Sequence, residues 1–136
     1  MPGRHAPGIA RLLLPPVMGS VLELAATTGQ VRHRIYITGD TLMYGAIHEI
    51  ARRFPGTDLA VLHLGGTTLP GGLMVTMDGR QGAELLAAIA PRRAVPVHCH
   101  DYAAFKSPLE DFRKEAERRG LGDRVTYVQR GDTVTL

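Results

Sequence analysis

Arg34-Ile35-Tyr36-Ile37-Thr38-Gly39-Asp40-Thr41 is the stretch on which the fold turns. Up to Thr38 it is β-branched and aromatic, as a strand would be. Beyond Gly39-Asp40 the period changes. Met43, Ile47, Ile50, Ala51 and Phe54 recur at helical spacing until Pro55-Gly56 stops them, which predicts a helix from about Thr41. Strand, Gly-Asp, helix is the join of an α/β layered protein.

Working upstream, Val17-Met-Gly-Ser-Val-Leu-Glu-Leu is a second strand-like run. Thr27-Thr-Gly-Gln between the two predicts a β-hairpin. Residues 1–16 look irregular, with four prolines and two glycines. Downstream, Leu59-Ala-Val-Leu-His-Leu reads as a buried strand. Asp78 opens a second helix with Gln81 as its capping-box partner, an apolar face at Leu85, Leu86 and Ile89, and a stop at Pro91. Ala94-Val-Pro-Val is another strand. Ser107-Pro-Leu-Glu predicts a third helix with Ser107 as N-cap and Pro108 at its first position, running through Leu109, Phe112 and Ala116 to Gly120. Val125–Val128 and Thr133–Leu136, around Arg130-Gly-Asp, are expected to close with a hairpin. The predicted order is ββ-α-β-α-β-α-ββ. With no linker and no repeat, residues 1–136 are expected to form one domain.

Composition narrows the function classes. The 136 residues are 44% hydrophobic and 21% charged, as in an ordinary globular domain. The one cysteine, Cys99, excludes an internal disulfide framework and a cysteine-based zinc site. Apolar runs reach about six residues, against roughly 20 for a membrane span. With no signal-peptide core either, a soluble, cytoplasmic protein without a membrane partner is expected. Sixteen basic against 13 acidic side chains leave a net charge of +3. The arginines come in pairs, Arg52-Arg53, Arg92-Arg93 and Arg118-Arg119, at helix ends or turns, where solvated capping accounts for them. A nucleic-acid partner is not expected.

The chemistry-bearing residues gather where strands end. Ile35-Tyr-Ile-Thr runs into Gly39-Asp40, and Val95-Pro-Val runs into His98-Cys-His-Asp. Ligands of open α/β sheets collect at such ends. Asp40 reads either as a cation ligand or as an N-cap, and His98 either as a ligand or as a buried, satisfied histidine. His63, in an apolar strand, reads as core. His33 and His48 read as solvated, and His5 is left undecided by its Pro/Gly loop. Gly65-Gly-Thr-Thr-Leu-Pro-Gly-Gly lacks the Gly-Lys-Ser/Thr of a P-loop, and no Gly-x-Ser-x-Gly elbow occurs. Cys99 reads as a small side chain beside a ligand loop rather than a nucleophile.

Arg34-Ile-Tyr-Ile-Thr-Gly-Asp-Thr, with Pro96-Val-His-Cys-His-Asp-Tyr later, resembles the C-terminal half of the metallo-β-lactamase superfamily, in the branch that includes the ascorbate-phosphate lactonases. Arg4-His5-Ala-Pro-Gly resembles that family's middle histidine loop. Val75-Thr-Met-Asp and Phe105-Lys-Ser-Pro-Leu-Glu-Asp-Phe extend the likeness over essentially the whole chain. The resemblance implies half of an αβ/βα sandwich, a mixed sheet with helices on one face. It implies Asp40 as a carboxylate bridging two metal ions, His98 as a ligand of one and His5 of the other. The cofactor of the complete fold would be zinc or another divalent metal. His100, Asp101, Tyr102 and Lys106, just past the ligand loop, are the substrate-contact candidates.

The family's His-x-His-x-Asp-His signature is absent. That signature supplies most of the metal ligands and the aspartate that polarises water. The resemblance therefore implies the C-terminal portion of a metal-dependent hydrolase, with weak or no metal binding and no activity alone. One sheet face, expected to include Val17, Val21 and Ile35, would need a cover: a second copy or the missing N-terminal half. The alternative is a non-catalytic homodimeric module derived from that fold.

Overall fold

The hairpin read around Thr27-Thr-Gly-Gln forms the start of a mixed four-stranded sheet. The computed structural model describes residues 2–6, 8, 14–99 and 104–136. In chain order its elements are β1 (Ser20–Ala25), β2 (Val31–Ile37), α1 (Ala46–Arg53), β3 (Leu59–His63), β4 (Thr68–Leu69), β5 (Leu73–Met74), α2 (Gly79–Ile89), β6 (Arg93–Val97) and α3 (Leu109–Arg118), followed by a 3-10 turn at Gly122–Arg124. The sheet order is β1-β2-β3-β6. β1 pairs antiparallel with β2, and β2, β3 and β6 run parallel. The small β4-β5 hairpin stands apart. Its two-residue strands carried no readable alternation.

Register decides which side chains share a face. Val21 opposes Tyr36, Tyr36 opposes Ala60, and Ala60 opposes Ala94, so these four point the same way. All three helices pack on this side. Ile47 and Ile50 of α1, Leu85 and Leu86 of α2, and Phe112 and Ala116 of α3 join Tyr36, Ala60, Leu62 and Ala94 in one core. Phe112, Leu62, Leu85 and Leu86 are completely buried. Val21 therefore belongs to the helix-covered face, not the open one, because its register partner is the buried Tyr36. Val17 lies outside the strands, its carbonyl accepting from Gly3 N–H (2.8 Å).

The opposite face carries Leu22, Leu24, Ile35, Ile37, Val61 and Val97, with His63 at its end. Here Leu22 and Leu24 are 46% and 51% exposed. Ile35 was placed correctly. Pro96 sits inside β6, a position an interior strand would not tolerate. Ala94, two residues earlier, accepts from Thr126 N–H on the outer side (2.8 Å), so the N–H that Pro96 lacks would also have pointed outward, away from β3.

Several local readings change in the folded chain. The first helix begins at Ala46, with Gly45 as N-cap, because Thr41 and Leu42 are bonded to Arg4 instead. Asp78 does cap α2, accepting from Gln81 N–H (2.7 Å), but the capping box is not closed: the Gln81 carboxamide accepts from Met43 N–H (2.9 Å). Pro108, not Ser107, precedes α3 as its N-cap. The Ser107 hydroxyl accepts from Gly79 N–H at the start of α2 and donates to Asp111, so it joins two helices. No closing hairpin forms. Val125 makes a single parallel bridge to Ala94, and no strand is found beyond it among the described residues. The Gln129–Asp132 turn exists, yet Arg93 reaches across to Thr135 O (3.0 Å) and holds the tail against β6.

Candidate metal centre

Three parallel strands end side by side, and each delivers one chemically capable residue. β2 leads through Thr38-Gly39 to Asp40, β3 ends on His63, and β6 is followed at once by His98. Thr38 is the clasp. Its backbone N–H donates to Val61 O (3.0 Å), its hydroxyl donates to Gly39 O (3.0 Å), and it accepts from His63 N–H (2.9 Å). This fixes the end of β2 against the end of β3. Gly39 then turns at φ 61°, pressed so closely on Met18 O that a Cβ would collide with it. Asp40 projects from that turn and caps no helix, since α1 starts further on. Its N-cap reading is thereby excluded.

His98 is held from several sides. Its Nδ1 lies 3.2 Å from Leu64 O and 4.0 Å from Asp40 Oδ1. Its ring lies 4.6 Å from the Phe105 ring and 5.9 Å from that of His63, centroid to centroid. The backbone adopts φ 61°, a left-handed conformation sparsely populated by residues other than glycine. Both Asp40 and His98 keep partial solvent access, with 39% and 26% of their side-chain surface exposed. His98 is thus neither sealed in the core nor fully satisfied within it.

The residue before His5 is tied to the segment just past Asp40. Arg4 N–H donates to Thr41 Oγ1 and Arg4 O accepts from Leu42 N–H, both at 2.8 Å. The Nδ1 of His5 is buried without a hydrogen-bond partner among the described residues. His100, Asp101 and Tyr102 lie outside the described residues. Lys106 is exposed, and its backbone N–H donates to Gly65 O (2.9 Å). The glycine pair Gly65-Gly66 also acquires a role. At φ 100°, Gly65 lies where a Cβ would stand 2.6 Å from His98 O and against Phe105. The glycines let the loop after β3 pack against the loop that carries His98.

His63 is the residue the sequence reading missed. It lies opposite Val97 and alternates with the buried Leu62, so it faces away from the helices. Its Nδ1 stands 3.5 Å from Thr38 Oγ1. Partial burial holds its imidazole below the ordinary histidine range; Asp40 opposes that shift and His98 adds to it. The signal was available in its position as last residue of the middle parallel strand. Among the described residues, no three His, Cys, Asp or Glu side chains converge tightly enough to enclose an ion.

Comparison with known proteins gives this geometry a context. The sequence matches no protein-family model. It is 32% identical over 103 residues to a UPF0173 metal-dependent hydrolase of Deinococcus radiodurans, covering 76% of this chain and 40% of that protein. A UPF0173 metal-dependent hydrolase of Thermococcus onnurineus is 25% identical over 114 residues, covering 84% and 45% respectively. Among solved structures, a possible metal-dependent hydrolase from Veillonella parvula superposes on 99% of this chain and 52% of its own, with TM-score 0.81 at 18% identity. The isothiocyanate hydrolase from Delia radicum gut bacteria gives TM-score 0.78 at 18% identity, over 98% and 52%. This is half of a metallo-β-lactamase fold. The mixed sheet with helices on one face is the half-sandwich expected, and the chain spans about half the length of the relatives it matches. Within this metallo-β-lactamase half, no helix among the described residues is long and apolar enough to cross a membrane.

Proposed function

We propose that the chain is the C-terminal portion of a metal-dependent hydrolase, in which Asp40 and His98, with His5, supply part of the coordination of a divalent metal centre. The observation that carries this reading is the Asp40–His98 pair, a carboxylate and an imidazole 4.0 Å apart at the ends of two parallel strands. The donors suit a cation. His98 presents Nδ1 to a carbonyl, which accepts only, and so keeps the Nε2 lone pair for a metal. The unpartnered His5 Nδ1 marks a polar group whose hydrogen bonding the described chain leaves incomplete. Zinc, manganese and iron all accept such donors. When bound, such an ion lowers the pKa of a coordinated water and polarises the bond to be cleaved.

The set is incomplete. Catalytic zinc keeps three protein ligands, and here no three converge among the described residues. The chain alone therefore binds metal weakly and does not turn over substrate. The remaining ligands come from polypeptide that covers the open sheet face. The greater length of the relatives favours the equivalent of their other half; a second copy of this chain is the competing cover.

Native mass spectrometry after dialysis against trace zinc tests the reading. A metal-free chain that loads zinc only at excess, and no longer does so as Asp40→Asn or His98→Ala, is the expected result. Loading that is indifferent to both substitutions overturns the assignment. A dimer that retains zinc at trace concentration shows a second copy completing the site. A dimer that never loads zinc identifies a non-catalytic homodimeric module instead.

A further inference from the structure

We infer that Arg4 anchors a further binding site, a cleft that takes the carboxylate of a small molecule. The inference stands apart from the metal reading above and needs no ion.

The cleft is held by a strap, residues 2–4, made of backbone bonds. Pro2 bridges Met18 antiparallel, and Gly3 N–H donates to Val17 O (2.8 Å). Arg4 is bonded to Thr41 and Leu42 through its own N–H and carbonyl. The Tyr44 hydroxyl donates to Pro2 O and closes the strap. The Arg4 side chain takes no part in these bonds. Pro2, Arg4, His5, Pro16, Val17 and Tyr44 line a cleft of about 520 Å³, within the roughly 300–1,000 Å³ of small-molecule sites.

Two residues of this lining carry an orphaned polar atom. Arg4 Nε and His5 Nδ1 are buried without a hydrogen-bond partner, and among the described residues no other side-chain nitrogen or oxygen is so placed. A guanidinium Nε–H can only donate, and leaving it buried and unpaired is costly, so it calls for an acceptor. Its charge is unbalanced as well. Arg34, Arg92 and Arg119 each meet a carboxylate; among the described residues Arg4 meets none. Burial raises the Tyr44 phenol pKa and the Arg4 charge draws it down, which puts the guanidinium on the Tyr44 side, toward the cleft. One guanidinium balances one negative charge and forms a charge-assisted bond to a carboxylate oxygen. With hydrogen on Nδ1, His5 supplies a second donor. Pro2, Pro16 and Val17 suit a short apolar body behind the charged group. A carboxylate therefore fits better than a phosphate dianion.

The test is proton–nitrogen correlation NMR of the metal-free, nitrogen-15-labelled full chain during titration with butyrate. Butyramide and sodium chloride serve as the neutral and the ionic-strength controls. The Arg4 Nε–H signal should shift saturably with butyrate and stay in place with either control. Arg4→Gln keeps the backbone bonds of residue 4. It should weaken butyrate binding about tenfold or more, the effect of losing a charge-assisted hydrogen bond, read on the backbone amides of Gly3, His5 and Tyr44. Should that variant fail to fold, the wild-type titration still decides. An Arg4 signal that does not move, or moves equally with butyramide or chloride, overturns the inference. Butyrate binding indifferent to Arg4→Gln overturns it too. Inorganic phosphate binding more tightly than butyrate overturns the assignment to a carboxylate.

Discussion

The two faces of the four-stranded sheet are written by alternate residues of the same strands, yet the chain treats them oppositely. Tyr36, Ala60, Leu62 and Ala94 meet three helices and lose almost all their solvent contact. Leu22 and Leu24, one residue out of phase, remain about half exposed. Burial of apolar area is the main force that holds a domain together, so the covered face is where the chain's own stability resides. The open face holds the capable residues, with Asp40, His63 and His98 along the strand ends that border it. Stability and chemistry are thus divided between the two sides of one sheet.

The largest effect should come from the covered side. Phe112→Ala removes a completely buried ring from between α3 and the rest of the core. It should cost about 3–5 kcal/mol in chemical denaturation. A smaller but more informative loss is expected at the seam between the faces. Gly65→Ala places a methyl group 2.6 Å from His98 O at a backbone angle disfavoured for alanine. It should lower stability by about 1–3 kcal/mol and displace His98, so that zinc loading falls further than in an equally destabilised core variant. The smallest effect belongs to the open face. Leu24→Lys should change stability by no more than about 0.5 kcal/mol, while abolishing any association of copies through that face in sedimentation experiments. Were Leu24→Lys as damaging as Phe112→Ala, the division between the faces would collapse.

How far the sequence disclosed this depends on the range of the interactions involved. Helices α2 and α3, with strands β2, β3 and β6, followed from period and breakers because those signals are local. Asp78 was legible as a cap for the same reason. Gln81 and Ser107 were not, since their partners, Met43 and Gly79, are 38 and 28 residues away. Local pattern favoured a capping box and an N-cap, and tertiary contacts took both side chains elsewhere. The C-terminal hairpin failed because Val125 found Ala94 before any return strand. Asp40 and His98 stood out as polar residues that follow apolar strands. His63 did not, being embedded in the apolar run itself. Only the pairing of β3 with β6 shows that it faces the same way as Val97.

Pro96 also bears on how the sheet meets other chains. A sheet whose second face is exposed along β1, and which has an outer strand at β6, invites neighbouring chains in two ways, by stacking on the face or by adding strands to the edge. The second route is the one that propagates into fibres, because each added strand offers a fresh edge. Along the part of β6 left open beyond Ala94, Pro96 removes the donor that an incoming strand would need. It costs the sheet no bond to β3. A newcomer arriving at this side of the sheet is denied a continuous ladder.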